Sequence, residues 1–231
     1  MKHSENTRFL NRSFILDGIE NQEYHPAEAG GFYRHFGKRI LDTCLVIIGL
    51  PFVAPIMLIV ALLIVFGGGP VLYSQPRLGK DGRIFRLWKF RSMVVDADDA
   101  LAKHLAANAD AAREWRISQK LRHDPRITPI GRFIRKTSLD ELPQLINVLK
   151  GEMSLVGPRP MMPEQRSLYN GGSYEKLLPG ISGLWQISER NNVTFAERAR
   201  FDTEYDQKVT LGTDIMVLAK TVGVVCRGSG V

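Results

Sequence analysis

The sequence predicts a mainly α fold with a small β-hairpin (α+β), in which a re-entrant membrane helix precedes a cytosolic domain carrying interfacial amphipathic helices. Three observations predict it. No charged residue occurs between Thr43 and Phe66. Gly79-Lys80-Asp81-Gly82 separates two short segments of strand character. From Asp96 onward, helix-forming stretches alternate with Pro and Gly stop signals.

The uncharged run comes first. At about 1.5 Å per residue, roughly 24 residues make a helix of about 36 Å, enough to cross a hydrocarbon core of about 30 Å. A buried core helix would be apolar on one face, whereas this run is apolar all round. It is too long for a signal peptide and starts too far into the chain. Pro51 and Pro55 sit in its middle, where each removes a backbone donor and favours a kink. Both flanks are basic: Arg34, Lys38 and Arg39 before, and Arg77, Lys80, Arg83, Arg86, Lys89 and Arg91 after. The positive-inside rule places both flanks in the cytoplasm, so a helix that enters, breaks at the prolines and returns is expected.

The organisation around this run follows. Residues 1–31 are polar and are read as a flexible cytosolic tail. Phe32 to Leu41 mixes aromatic and basic residues and suits an interfacial helix, so residues 32–66 form the membrane unit. Gly67-Gly68-Gly69-Pro70 stops it, and residues 67–231 form the cytosolic domain. There, Val71–Gln75 and Arg83–Met93 are the expected strands. Asp96 to about Arg122 is Ala-rich and reads as one helix, ended by Asp124-Pro125. Ile130–Lys136 and Leu139–Lys150 are shorter helices, the second closed by Gly151. After a proline-rich loop, Val156–Pro163, come further loops, a helix near Thr194–Lys208, and an apolar helix, Thr213–Cys226, suited to a membrane surface.

Composition limits the partners without choosing one. The chain has 231 residues, 44% hydrophobic and 24% charged, which suits one folded domain plus an anchor. A net charge of +7 fits nucleic acid, anionic lipid or a phosphorylated small molecule equally. The basic residues flank a membrane segment and match no nucleic-acid reader, so nucleic acid is not expected as a partner. Two cysteines, Cys44 and Cys226, make no disulfide framework, and the five histidines lack zinc spacing.

Chemistry concentrates in Thr137-Ser138-Leu139-Asp140-Glu141-Leu142-Pro143. Ser138 and Glu141 match a capping box, although Pro143 then falls beyond the first turn; a helix starting at Asp140 removes that conflict. Spacing alone leaves capping and catalysis both open. Arg132, Arg135 and Lys136 lie just upstream, and Arg159 lies in Gly157-Pro158-Arg159-Pro160. Two adjacent carboxylates among cations suit a place where Mg²⁺ and phosphates meet, and a carboxylate can also attack phosphorus. Asp96, Asp98 and Asp99 are read as acids at a helix start. Trp88, Trp185, Phe90 and Tyr205 are read as core, with framing of a base or sugar as the other use.

Five motifs then carry a resemblance: Lys38-Arg39-Ile40-Leu41-Asp42; Trp88-Lys89-Phe90-Arg91-Ser92-Met93; Ser138 to Leu145; Gly151 to Pro160; and Pro179-Gly180-Ile181-Ser182-Gly183-Leu184-Trp185-Gln186. In this order, from about Lys38 to Val231, the chain resembles the bacterial sugar transferases, the monotopic polyprenyl-phosphate phosphoglycosyl transferases. It is most similar to the small members that start exopolysaccharide synthesis by loading galactose phosphate. The resemblance implies a catalytic domain at the cytoplasmic face of the bacterial inner membrane, with UDP-sugar, undecaprenyl phosphate and membrane lipids as partners and Mg²⁺ as cofactor. It implies Asp140 as nucleophile and Glu141 as its dyad partner, both as metal ligands. It places Lys89, Arg135, Arg159, Pro160 and Arg190 at the substrates. Glucose or an N-acetylhexosamine is the alternative sugar, and a UDP-releasing glycosyltransferase is the alternative reaction; a homo-oligomer stays open. The chain departs from the family pattern at Ala54, where serine usually precedes the proline, and at Leu178 and Glu189 near the nucleotide contacts.

Overall fold

The computed structural model describes residues 31–118, 121–188 and 195–226. The N-terminal tail, Glu189 and Arg190 therefore lie outside the described residues. Within them the fold is mostly helical with a small antiparallel hairpin, as the sequence predicts.

A π-helical turn, Tyr33–Gly37, leads into a long helix α1, Lys38–Phe66. Together they make 34 residues, long and apolar enough to cross a membrane by length and composition. Helical geometry continues through Pro51 and Pro55, so the break expected at the prolines is not seen: each proline lacks only its own N–H, and the helix runs on around it. Both ends of α1 are docked on the domain that follows. Near its start, Val46 packs with Phe85, Leu87, Val148 and Met153. Near its end, Val60 and Ile64 pack with Phe90 and Ile134. Between these contacts the side chains face outward: Ile48 is 66% and Phe52 75% exposed. Each such side chain gains about 1.5–3 kcal/mol on leaving water, so the middle of α1 requires an apolar surrounding.

The hairpin pairs β1 (Leu72–Leu78) with β2 (Ile84–Phe90), in register from Leu72 opposite Phe90 to Leu78 opposite Ile84. The strands run a little later than expected at the first and stop earlier at the second. Asp81 (φ 56) and Gly82 (φ 72) take left-handed backbone in the turn. Phe85 and Leu87 share one face, as alternation predicts, and both are buried. Phe90, from the opposite face, is also buried because the end of β2 meets the end of α1.

The predicted Ala-rich helix is two helices, α2 (Ala97–Ala107) and α3 (Ala109–Ser118). Asn108 divides them. Its Oδ1 accepts from the backbone N–H of Asp110 and of Ala111, both at 3.0 Å, so it caps a new helix. Asp98 and Asp99 fall in the first turn of α2. Helix α4 (Pro129–Lys136) starts at Thr128, whose Oγ1 accepts from Gly131 N at 2.9 Å. A Cβ on Gly131 would overlap the Ser92 carbonyl, so this close approach needs glycine.

Helix α5 (Gln144–Lys150) ends at Gly151, φ 80, as expected. It carries Asn147, fully buried. The Asn147 amide takes the place of a neighbouring strand: Oδ1 accepts from Trp88 N at 3.1 Å, and Nδ2 donates to Arg86 O at 2.7 Å. Asn147→Leu leaves both strand groups unmatched, and each buried unmatched group costs about 1–3 kcal/mol. A loss of roughly 3 kcal/mol is expected, read as a lower denaturation midpoint.

A feature the sequence did not reveal is a second sheet, β3 (Ser154–Val156) parallel to β4 (Gly180–Ser182). Strands this short leave almost no periodic signal. After β4 come α6 (Leu184–Ile187), α7 (Phe195–Gln207) and α8 (Leu211–Cys226). Helix α8 buries Asp214 and Val217 and exposes Leu211, Ile215 and Val222.

Candidate active site

Helix α4 ends at Thr137, whose hydroxyl donates to Phe133 O at 2.9 Å. Ser138 then turns left-handed, φ 57 and ψ 17, and the chain makes one 3-10 turn, Leu139–Glu141. This corrects the helical expectations for the segment. Ser138 makes no side-chain cap, and no helix starts at it or at Asp140. Helix α5 begins after Pro143, whose missing N–H costs nothing at a helix start.

The turn has two sides. Leu139 and Leu142 pack against the Val60, Ile64, Phe90 and Ile134 cluster at the end of α1. Asp140 and Glu141 gather instead around Lys89 of β2. Lys89 Nζ lies 2.7 Å from Glu141 Oε1 and 3.9 Å from Asp140 Oδ2. Arg159 Nη2 lies 3.8 Å from the same Glu141 oxygen. Asp140 is only 9% exposed. Burial pushes its carboxyl above the ordinary range, opposed chiefly by Lys89 and also by Arg135 and Arg159, while Glu141 adds to the rise.

Arg159 is presented by a tightly tied loop after β3. Gly157 N donates to Ser182 O at 2.8 Å, and Gly180 N donates to Pro158 O at 2.7 Å. The Pro160 carbonyl accepts from Arg77 Nη1 at 3.2 Å. The Tyr174 hydroxyl donates to Leu78 O at 2.6 Å and accepts from Met161 N at 3.1 Å, binding the loop to the hairpin.

Of the residues expected at the site, Asp140, Glu141, Lys89 and Arg159 come together directly. Arg135, on α4, acts on Asp140 through its charge. Pro160 contributes a backbone carbonyl beside Arg159, and Arg190 falls outside the described residues. Phe90 and Tyr205 are core. Trp185 is buried as well, yet Arg159 and Arg198 both lie over its ring. The sequence did not single out Arg198 or Asp202, and Arg77 appeared only among the basic flanks. Arg198 and Asp202, on α7, line a small cleft together with Arg159 and Trp185, and only long-range packing brings them there.

Among the described residues, no group of three or more His, Cys, Asp or Glu side chains could hold a metal alone. Two adjacent carboxylates already sharing one cation, Lys89, do fit Mg²⁺, which takes one or two carboxylates and fills its shell with phosphate and water.

The structure thus gathers a carboxylate pair with one ammonium and one guanidinium group. The chain belongs to the bacterial sugar transferase family, whose model matches residues 33–228. It is 42% identical over 196 residues to the exopolysaccharide production protein ExoY of Rhizobium meliloti, covering 84% of this chain and 87% of that one. It is 46% identical over 197 residues to the undecaprenyl-phosphate galactose phosphotransferase of Salmonella typhimurium, covering 84% of this chain and 41% of that protein. The UDP-glucose:undecaprenyl-phosphate glucose-1-phosphate transferase of Escherichia coli is 37% identical over 196 residues, covering 80% of this chain and 39% of its own length. This chain thus spans about two fifths of the two longer relatives and most of the first.

Proposed function

We propose that this transferase moves a hexose-1-phosphate from a UDP-sugar to undecaprenyl phosphate, the step that starts an exopolysaccharide repeat unit. The observation that carries this reading is the Asp140-Glu141 pair, gathered on Lys89 and Arg159 and flanked by Leu139 and Leu142, which pack against the cluster at the end of α1. The relatives' names support the substrates, and galactose is the first choice of sugar because more of those names specify it.

In the first step an Asp140 carboxylate oxygen attacks the phosphorus attached to the sugar. The bond from that phosphorus to the bridging oxygen breaks, and UMP leaves with the bridging oxygen. In the second step a phosphate oxygen of undecaprenyl phosphate attacks the same phosphorus, and the Asp140–phosphorus bond breaks. The carboxylate is restored and the lipid carries a diphosphate-linked sugar. Neither step needs a net proton. Lys89 and Arg159 hold the negative charge that builds on the transferring oxygens. Asp140 and Glu141 would hold Mg²⁺, whose charge neutralises the donor phosphates. Purified enzyme with undecaprenyl phosphate and Mg²⁺ is expected to release UMP from one UDP-sugar in a panel, and to stop when EDTA removes the metal. Release of UDP instead would reject the mechanism.

The same proposal sets the enzyme on the cytoplasmic face with α1 re-entrant. Both ends of α1 dock on one domain, Arg39 on the carbonyls of Val148 and Leu149 and Gly67 beside Ile130. A simple span would need that domain to bridge a bilayer of about 30 Å. Exposed apolar residues on α8 suit the same lipid surface. Cysteines introduced near Lys38 and near Arg77 are expected to label from the cytoplasmic side alike; opposite-sided labelling would sink this topology.

A further inference from the structure

One face of the hairpin opens on the carboxylate pair. Lys89, which reaches both carboxylates, stands opposite Tyr73 in the register of β1 and β2. Directly opposed residues of an antiparallel pair point to the same side, with Cβ atoms about 4.5–5.5 Å apart. Tyr73, Gln75 and Arg77 alternate along β1 and so share the face of Lys89. Gln75 and Arg77 hold the loop after β3: Gln75 Nε2 donates to Met162 Sδ at 3.3 Å, and Arg77 Nη1 donates to the Pro160 carbonyl at 3.2 Å. Tyr73 has no such task. Its hydroxyl makes no hydrogen bond among the described residues, and the residue is 51% exposed. The Arg77 guanidinium is within electrostatic reach of both the Tyr73 phenol and Glu141, which sets the phenol beside the site.

Its place along the chain indicates which substrate passes there. Helix α1 ends at Phe66, itself 85% exposed, and Val71, two residues before Tyr73, packs against that end of α1. Leu72, on the opposite face of β1, is also exposed. Tyr73 therefore lies between the end of the apolar helix and the carboxylate pair, whereas Arg159 approaches Glu141 from the loop after β3. A phenol suits such a boundary, because its ring takes an apolar neighbour and its hydroxyl a polar one. A prenyl phosphate has the same two parts in the same order, with its chain toward the bilayer and its phosphate toward the site.

We propose that Tyr73 binds the acceptor lipid at the junction of its phosphate and its prenyl chain, the hydroxyl donating to a phosphate oxygen and the ring lying against the first prenyl unit. The inference rests on the lipid-phosphate reading above and adds to it a binding residue that serves the second step and not the first. Lys89, directly across the hairpin, then faces the same phosphate, so acceptor and carboxylate pair meet over one cation. A phospholipid headgroup presents the same phosphate chemistry, and the test separates the two.

The test measures the two half-reactions apart, with the full chain in detergent. Exchange of labelled UMP into the UDP-sugar needs no acceptor and reports the first step. Transfer to undecaprenyl phosphate reports both. Tyr73→Phe is expected to raise KM for undecaprenyl phosphate about tenfold, and Tyr73→Ser further, while exchange changes by less than about twofold. Equal losses in exchange and transfer would show that Tyr73 supports the fold or the donor, and would overturn the acceptor assignment. An unchanged KM in both variants overturns it too; weaker binding of those variants to phosphatidylglycerol vesicles would then give the phenol to a headgroup. Should Tyr73→Ser fail to fold, Tyr73→Phe, which keeps the ring, is judged by the same split. Failure of the underlying reading looks different: the wild type itself would then neither exchange UMP nor transfer sugar phosphate.

Discussion

Asp140→Asn is expected to abolish sugar-phosphate transfer, lowering kcat by at least about a thousandfold, while the protein still folds and still binds nucleotide. The amide keeps the shape of the carboxylate but cannot act as the nucleophile. The structure adds an expectation about stability. Burial raises the pKa of Asp140 above its unfolded value, so this group stabilises the fold below the unfolded pKa and loses that contribution as pH rises through the folded pKa. At neutral pH its charge is therefore a cost, and the asparagine variant should melt no lower than the wild type. Full activity in Asp140→Asn would end the nucleophile assignment, and a markedly lower melting point would show that the carboxylate is instead structural.

Asp214→Ala should be the most destabilising single change outside the site. Asp214 is 1% exposed and receives three donors. Lys38 Nζ and the Tyr33 hydroxyl each lie 2.6 Å from Oδ2, and the Tyr205 hydroxyl donates to Oδ1 at 2.5 Å. The variant leaves the Lys38 ammonium buried without its carboxylate, a loss of about 3–5 kcal/mol. The start of α1 and helix α8 should loosen together, giving faster proteolysis near both. Lys38→Met combined with Asp214→Leu should recover only part of the loss, because buried Asp42 then loses the Lys38 charge beside it. A melting point for Asp214→Ala equal to that of the wild type would show that the cluster contributes nothing.

That cluster marks the limit of what the sequence made legible. Lys38 and Asp214 are 176 positions apart, and nothing local to either links them. Local signals served well. An uncharged run identified α1, a Gly-flanked turn the hairpin, and Gly151 the end of α5. The acidic pair stood out because its two members are adjacent and are preceded by cations along the chain. Local signals misled at two places: the Asn108 side chain splits a helix, and Ser138 turns left-handed where a capping box was one of two readings. They were silent where only tertiary packing decides, as for β3 beside β4, and for Arg77 and Arg198 beside Arg159.

The double docking of α1 also constrains how its length could change. Val46 and Val60 are fourteen positions apart and face the same domain. One inserted residue between them would rotate the far contact by about 100° and turn Val60 away from Phe90. Seven inserted residues would nearly restore the phase but would carry Val60 about 10 Å along the helix axis, away from Phe90. The stretch between the two contacts therefore cannot be lengthened or shortened without undocking one end of α1 from the domain.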